Sequence, residues 1–287
     1  MSMKFQYDCF PCMLRQAVEA VNFLQIEEDH KRNIINETMQ MLIDVDMDLT
    51  ASEIAALIHQ NIIRRADGKD PYKTAKQESL RKAFEWYGYA KDLIKNSSQP
   101  LVTALKLCVA GNVIDFGPSS TFDLRETIET VLNEPFADFA FEEFQNALQE
   151  AHSILFLADN AGETVFDRLL IEEMRRPLVY VVKKDNILND ATRLDAQQTE
   201  FPDYVTIIDN GSAVQGTVLS QCSKKFVRSF QTADMIISKG MANFETLVEE
   251  GRRTFFLLKI KCPYVAKISG IPNGSFVLKQ GGMLEQL

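Results

Sequence analysis

The chain has 287 residues, 46% hydrophobic and 25% charged, with a formal net charge of −9. This is enough chain for one large or two smaller domains with a full core, and the acidic balance sets aside a nucleic-acid backbone as partner. No run reaches the roughly eighteen apolar residues that span a bilayer, and the start, MSMKFQYDCFPC, has no apolar h-region.

Five cysteines, an odd number, favour a reducing cytoplasm over a disulfide framework. The expected location is cytoplasmic, with no membrane partner. His30, His59 and His152 are scattered, which argues against a His-rich zinc enzyme.

The first element is Cys9-Phe10-Pro11-Cys12 leading into a helix to about Leu24, with Pro11 suited to its first turn. A single CxxC is a redox pair, half of a metal site, or packing at a helix start; Cys262 is the one candidate third partner. Asp44, Asp46 and Asp48 resemble an EF-hand loop in spacing, but Leu49 and Ala55 stand where its glycine and closing glutamate belong. They read as a solvated link. Thr50 and Glu53 predict a capping box for the next helix, and Asp70-Pro71 predicts an N-cap and first turn for another. A further helix is expected from Pro100 to Val109, with Gly111 as its C-terminal glycine. Asn112, Ile114 and Asp115 follow, as turn residues or as the lining of a cleft. Two more helices are expected near 122–133 and 138–149.

The character changes at residue 153. Strand candidates at 153–157, 178–183, 204–208, 234–238, 254–258 and 275–278 alternate with helices, which indicates a mostly parallel, doubly wound α/β sheet. The expected division is a mainly helical region over 1–150 and an α/β domain over 151–287 carrying the site.

Polar residues recur where these strands end, and open α/β sheets bind ligands at that edge. Ile154–Leu157 runs into Asp159, Asn160, Ala161 and Gly162, just before a helical pattern. The second strand leads to Lys183, Asn189, Asp190 and Thr192, and the fourth to Ser238, Lys239, Gly240, Asn243 and Glu245. On adjacent parallel strands, Asp159, Asn160 and Asp190 supply two carboxylates and one carboxamide, an all-oxygen, incomplete shell for Mg²⁺ or Mn²⁺. Lys239 beside Gly240 suits a phosphate as a point charge, and the helix start near Gly162 adds N–H donors. The alternative is mundane: Asp159 and Asp190 each cap a following helix, and Lys239 is a solvated lysine.

Seven short stretches together resemble the damage-control phosphatases, formerly domain-of-unknown-function family 89, in their mainly prokaryotic branch with an N-terminal CxxC. They are CFPC at 9–12, DPY with Lys76 at 70–76, GNVID at 111–115, DNAGE at 159–163, NDAT at 189–192, DNGS at 209–212 and SKGMANFETL at 238–247. The resemblance implies a helical N-terminal region on a Rossmann-like α/β/α domain. It also implies metal-dependent hydrolysis of phosphate monoesters of small phosphometabolites such as sugar phosphates. The expected cofactor is a divalent cation: Mn²⁺, Mg²⁺, Co²⁺ or Ni²⁺. The family's metal ligands fall on Asp159, Asn160 and Asp190 and its phosphate-contacting lysine on Lys239. Gly162, Glu163, Gly240, Asn243, Asn112 and Asp115 are expected around the phosphate, and Cys9, Cys12 and Cys262 keep a redox or metal role open. One departure is Ala213, where the family pattern often has an acidic residue. The alternative function is a methyltransferase or nucleotide-binding protein on the same frame, but no GxGxxG loop is present.

Overall fold

The computed structural model describes residues 3–113 and 124–282. The first half forms helices α1 (Cys9–Phe23), α2 (Glu28–Ile43), α3 (Ala51–Arg65), α4 (Lys73–Lys95), α5 (Pro100–Val113), α6 (Leu124–Asn133) and α7 (Phe141–Glu150), with a short strand β1 (Asp138–Phe139) before α7. The second half alternates: β2 (Ile154–Leu157), α8 (Thr164–Met174), β3 (Leu178–Val182), α9 (Arg193–Gln198), β4 (Val205–Asp209), α10 (Lys224–Thr232), β5 (Met235–Lys239), α11 (Met241–Leu247), β6 (Thr254–Lys259), α12 (Pro263–Ser269) and β7 (Phe276–Gln280).

The strands form one sheet in the order β1-β7-β6-β5-β2-β3-β4, parallel except for the β6–β7 pair. It is an α/β fold with a mostly parallel sheet and a helical N-terminal region. The central strands are mainly apolar because both faces are covered. Side chains alternate between two cores with the period of two that a strand imposes. Phe156, Tyr180, Ile237 and Leu257 point into the core shared with α4, α5 and α8, whereas Leu155, Leu157, Ile236 and Phe256 point into the one shared with α10, α11 and α12. Helices α5 and α7 pack directly on the sheet, and α4 and α6 join the same core through α5 and α8. The first three helices build a third core, which also takes in Ile187, Leu188 and Val214. That contact holds the loop after β3 from outside.

Local signals behave as their chemistry dictates. Thr50 and Glu53 form the reciprocal capping box at α3. Three expectations change. Residues 138–149 open with strand β1, paired to β7, before their helix begins. Gly111 does not end its helix: α5 runs on to Val113, and the missing side chain lets it pack on Phe166, 3.1 Å from where a Cβ would stand. Asp70 does not cap α4, which starts at Lys73; it accepts the Tyr72 N–H at 2.9 Å and lies 3.2 Å from Lys76 Nζ.

Candidate active site

Strands β2, β3, β4, β5 and β6 run parallel, so their carboxyl ends share one edge. The chain proceeds from β2 outward to β3 and β4, then returns to place β5 on the other side of β2. The crevice of an open sheet lies at such a reversal, and here Asp159 follows β2 while Gly240 follows β5.

Backbone bonds tie the Asp159-Asn160 segment to Asn189-Asp190. The Ala191 N–H donates to the Asp159 carbonyl and the Ala161 N–H to the Asn189 carbonyl, each at 2.8 Å, with Asn160 and Asp190 paired as an antiparallel bridge. Thirty residues of chain are closed into one rigid junction, and three oxygen-bearing side chains meet there. Helix capping does not account for them. Asn160 holds the N-cap position of the short 3₁₀ turn Ala161–Glu163 without a side-chain capping bond, and α9 is capped by Thr192 with Asp195.

Asp190 is 1% exposed and its Oδ2 accepts no hydrogen bond; the nearest cation is Lys183 Nζ at 3.7 Å. Burial pushes its carboxyl up to about 6, against the pull of the Lys183 and Lys76 ammonium groups. Asp159 and Asn160 stay partly open to solvent. Burial of the Asp159 carboxyl, and then the Glu163 and Asp190 carboxylates, raise it well above the ordinary range, while Lys261 and Lys239 pull it down. Gly240 makes room for that carboxylate: at φ +79°, ψ 167° it takes a backbone conformation essentially reserved for glycine, and a Cβ there would overlap Asp159 Oδ2.

Other expected contacts are committed elsewhere. Lys239 is fully buried and all three of its N–H bonds are used: on Asp167 Oδ1 at 2.6 Å, Glu163 Oε2 at 2.9 Å and the Cys108 carbonyl at 3.1 Å. Burial disfavours its ammonium, but Asp167, Cys108 and Glu163 outweigh that and hold its pKa well above the usual lysine value. It is a buried counter-ion, not an open phosphate contact. Glu163, 1% exposed, gives Oε2 to Lys239 and Oε1 to Asn160 Nδ2 at 2.7 Å, so it too faces inward. Asn243 donates to the carbonyls of Ala158 (3.1 Å) and Lys239 (2.8 Å) and accepts from Thr217 Oγ1 (2.8 Å), bracing the ends of β2 and β5. Gly162 is buried in the 3₁₀ turn. Asp115 and the side chain of Asn112 lie outside the described residues.

Four residues given no role in the expected site belong to its surroundings. Lys183 is buried, donates to the Gly216 carbonyl and faces Asp190. Lys76 is buried between Asn186 Oδ1 (2.8 Å) and Asp70 Oδ2 (3.2 Å). Asp167 anchors Lys239. Exposed Lys261, just beyond β6, acts electrostatically on Asp159. Asp167 announces itself in sequence as an acid amid Val165, Phe166, Leu169, Leu170 and Ile171, since a charge on a buried helix face requires a partner.

Cys9, Cys12 and Cys262 are free thiols, each partly buried. Burial pushes the Cys9 thiol up, with smaller contributions from Glu245, Cys262 and Cys12. Arg15 donates to Cys12 Sγ at 3.3 Å. Among the described residues, no group of three or more His, Cys, Asp or Glu side chains stands ready to hold a metal. Any cation at Asp159 and Asp190 therefore needs a neutral third oxygen, as the Asn160 carboxamide offers. The residues fit that group: a buried carboxylate oxygen without a hydrogen bond, a second carboxylate cradled by a glycine, and an all-oxygen donor set of the kind Mg²⁺ and Mn²⁺ take.

Comparison with known proteins gives matches over nearly the whole chain. The sequence profile of the damage-control phosphatase ARMT1-like domain matches residues 5–277. A damage-control phosphatase of Pyrococcus horikoshii is 34% identical, over 96% of this chain and 97% of that protein. An uncharacterised protein of Methanocaldococcus jannaschii is 33% identical over 96% and 95%, and a damage-control phosphatase of Archaeoglobus fulgidus 27% over 96% and 99%. The crystal structure of a DUF89 family protein from P. horikoshii superposes with a TM-score of 0.89 at 31% identity, covering 97% of this chain and 99% of that one. Among the described residues no helix is long and apolar enough to cross a membrane.

Proposed function

The chain belongs to the damage-control phosphatase ARMT1-like family, and on that premise we propose that it hydrolyses phosphate monoesters of small metabolites, sugar phosphates among them, with a divalent cation held by Asp159, Asn160 and Asp190. The observation that carries this reading is the junction of the two segments. The backbone bonds between 159–161 and 189–191 hold three oxygen donors together while Asp190 Oδ2 is left buried without a hydrogen bond.

When bound, the cation withdraws charge from a phosphate oxygen and lowers the barrier to attack by water. The chain supplies the rest. Asp159 and Asp190 bring negative charge to a place where burial makes it costly, so the site is poised for a cation. Lys183, anchored on the Gly216 carbonyl, sets a positive charge 3.7 Å from Asp190 Oδ2. Lys261, exposed just beyond β6 and felt by Asp159, takes the role of phosphate counter-charge. Transfer of a phosphoryl group is governed by positioning and charge, which suits a rigid junction of this kind.

The test is phosphate release from p-nitrophenyl phosphate and from a panel of sugar phosphates with Mn²⁺, Mg²⁺, Co²⁺ or Ni²⁺. Turnover should vanish with EDTA, return with metal, and be lost in Asp190→Asn while its melt stays cooperative. Undiminished turnover after metal removal would overturn the metal assignment.

A further inference from the structure

A set of fully buried groups joins the junction to the middle of the sheet. Tyr180 Oη donates to Asp167 Oδ2 at 2.6 Å, and Cys108 Sγ lies 3.1 Å from Asp167 Oδ1. Asp167 Oδ1 accepts from Lys239, Lys239 donates to Glu163 Oε2, and Glu163 Oε1 accepts from Asn160 Nδ2. Asp167 and Lys239 are both 0% exposed. A buried ion cluster is weak grounds for stability, because apolar residues of similar volume often serve as well. It does have a directional consequence.

A carboxamide presents either its nitrogen or its oxygen. Glu163, held as an acceptor by the Lys239 ammonium, takes the Asn160 NH₂ group. The reversed amide would set two oxygens against each other. The Asn160 oxygen is therefore turned away from Glu163. We infer that Asp167 is a positioning residue: through Lys239 and Glu163 it locks Asn160 in the orientation that offers its carbonyl oxygen as a metal ligand. This rests on the metal reading proposed above. Four side chains act in series and end on Asn160, whose Nδ2 also lies 3.4 Å from Asp159 Oδ2. Partners that orient a metal ligand in this way typically change metal affinity 10–100-fold when removed.

The experiment is Mn²⁺ binding to metal-free protein, with free Mn²⁺ followed by electron paramagnetic resonance and no substrate present. In Asp167→Asn, Lys239 keeps its charge but loses the carboxylate anchor at 2.6 Å that fixes where its ammonium meets Glu163. The Mn²⁺ Kd is expected to rise at least 10-fold. Tyr180→Phe, which deletes only the hydroxyl holding Asp167 Oδ2, is expected to raise it severalfold and carries the test should Asp167→Asn fail to fold. Ile34→Ala, in the separate helical core, lowers stability without touching the series and should leave the Kd unchanged, so a loss of affinity that merely follows stability counts against the inference. A wild-type Kd in a folded Asp167→Asn protein, or in Tyr180→Phe if that alone folds, would overturn it while leaving the metal reading intact. Absence of Mn²⁺ binding by the wild type would overturn both.

Discussion

Gly240→Ala is the sharpest probe of how Asp159 is held. The residue sits at φ +79°, ψ 167°, where an alanine backbone costs about 1–3 kcal/mol. Strain is the smaller effect. The added methyl falls on the Asp159 carboxylate, so the carboxylate or the start of α11 must move by about an ångström, a misplacement that costs on the order of 100-fold in rate. That corresponds to about 2.7 kcal/mol of transition-state stabilisation. Gly270 provides the control: it also has positive φ, +69°, but nothing lies within 4 Å of its Cβ position. Gly270→Ala should lose about 1–2 kcal/mol of stability through backbone strain and keep wild-type activity. Steady-state kcat/KM for p-nitrophenyl phosphate with saturating Mn²⁺, beside denaturant melts, separates the two effects. A Gly240→Ala enzyme within threefold of wild type would refute the argument that this glycine exists to seat Asp159.

Lys261→Ala should raise the inhibition constant for inorganic phosphate ~10-fold, the worth of one charge-assisted contact, without weakening Mn²⁺ binding; equal phosphate inhibition in the variant would return the counter-charge to another residue. His59 is 1% exposed, and burial lowers its pKa from 6.5 to about 4. The unfolded chain takes the proton first, so stability is full above pH 6.5 and falls as pH drops toward 4, by up to about 3 kcal/mol; urea melts across that range should flatten in His59→Phe. Thr50→Ala removes half of the capping box, whose hydroxyl accepts the Glu53 N–H at 3.2 Å, and should cost about 1 kcal/mol with activity unchanged.

Much of the fold was legible because its signals are local. The apolar runs at 154–157 and 235–237 and the Thr50–Glu53 pair need only neighbours a few residues away. Gly111 misled because a glycine near a helix end reads as a stop, whereas here the reason for it is Phe166, far along the chain. Asp138–Phe139 was hidden for a like cause: two residues become a strand only by pairing with β7. At the site, the convergence of Asp159, Asn160 and Asp190 followed from strands sharing an edge. What Lys239 does there did not follow, since its partners Glu163, Asp167 and Cys108 lie 72 to 131 residues away. A lysine beside a glycine at a strand end looks the same in sequence whether it meets a phosphate or two buried carboxylates. The acid at position 167, on a helix face otherwise apolar, was the one cue that a cation had to be buried nearby.

The most direct measurement is a crystal of the metal-free protein soaked in Mn²⁺ and recorded near the manganese absorption edge. One strong anomalous peak is expected, bounded by side-chain oxygens of Asp159, Asn160 and Asp190 and absent from an Asp190→Ala crystal treated identically. A peak beside Cys9, Cys12 and Cys262, or none at the junction in a protein whose turnover requires Mn²⁺, would contradict the metal assignment.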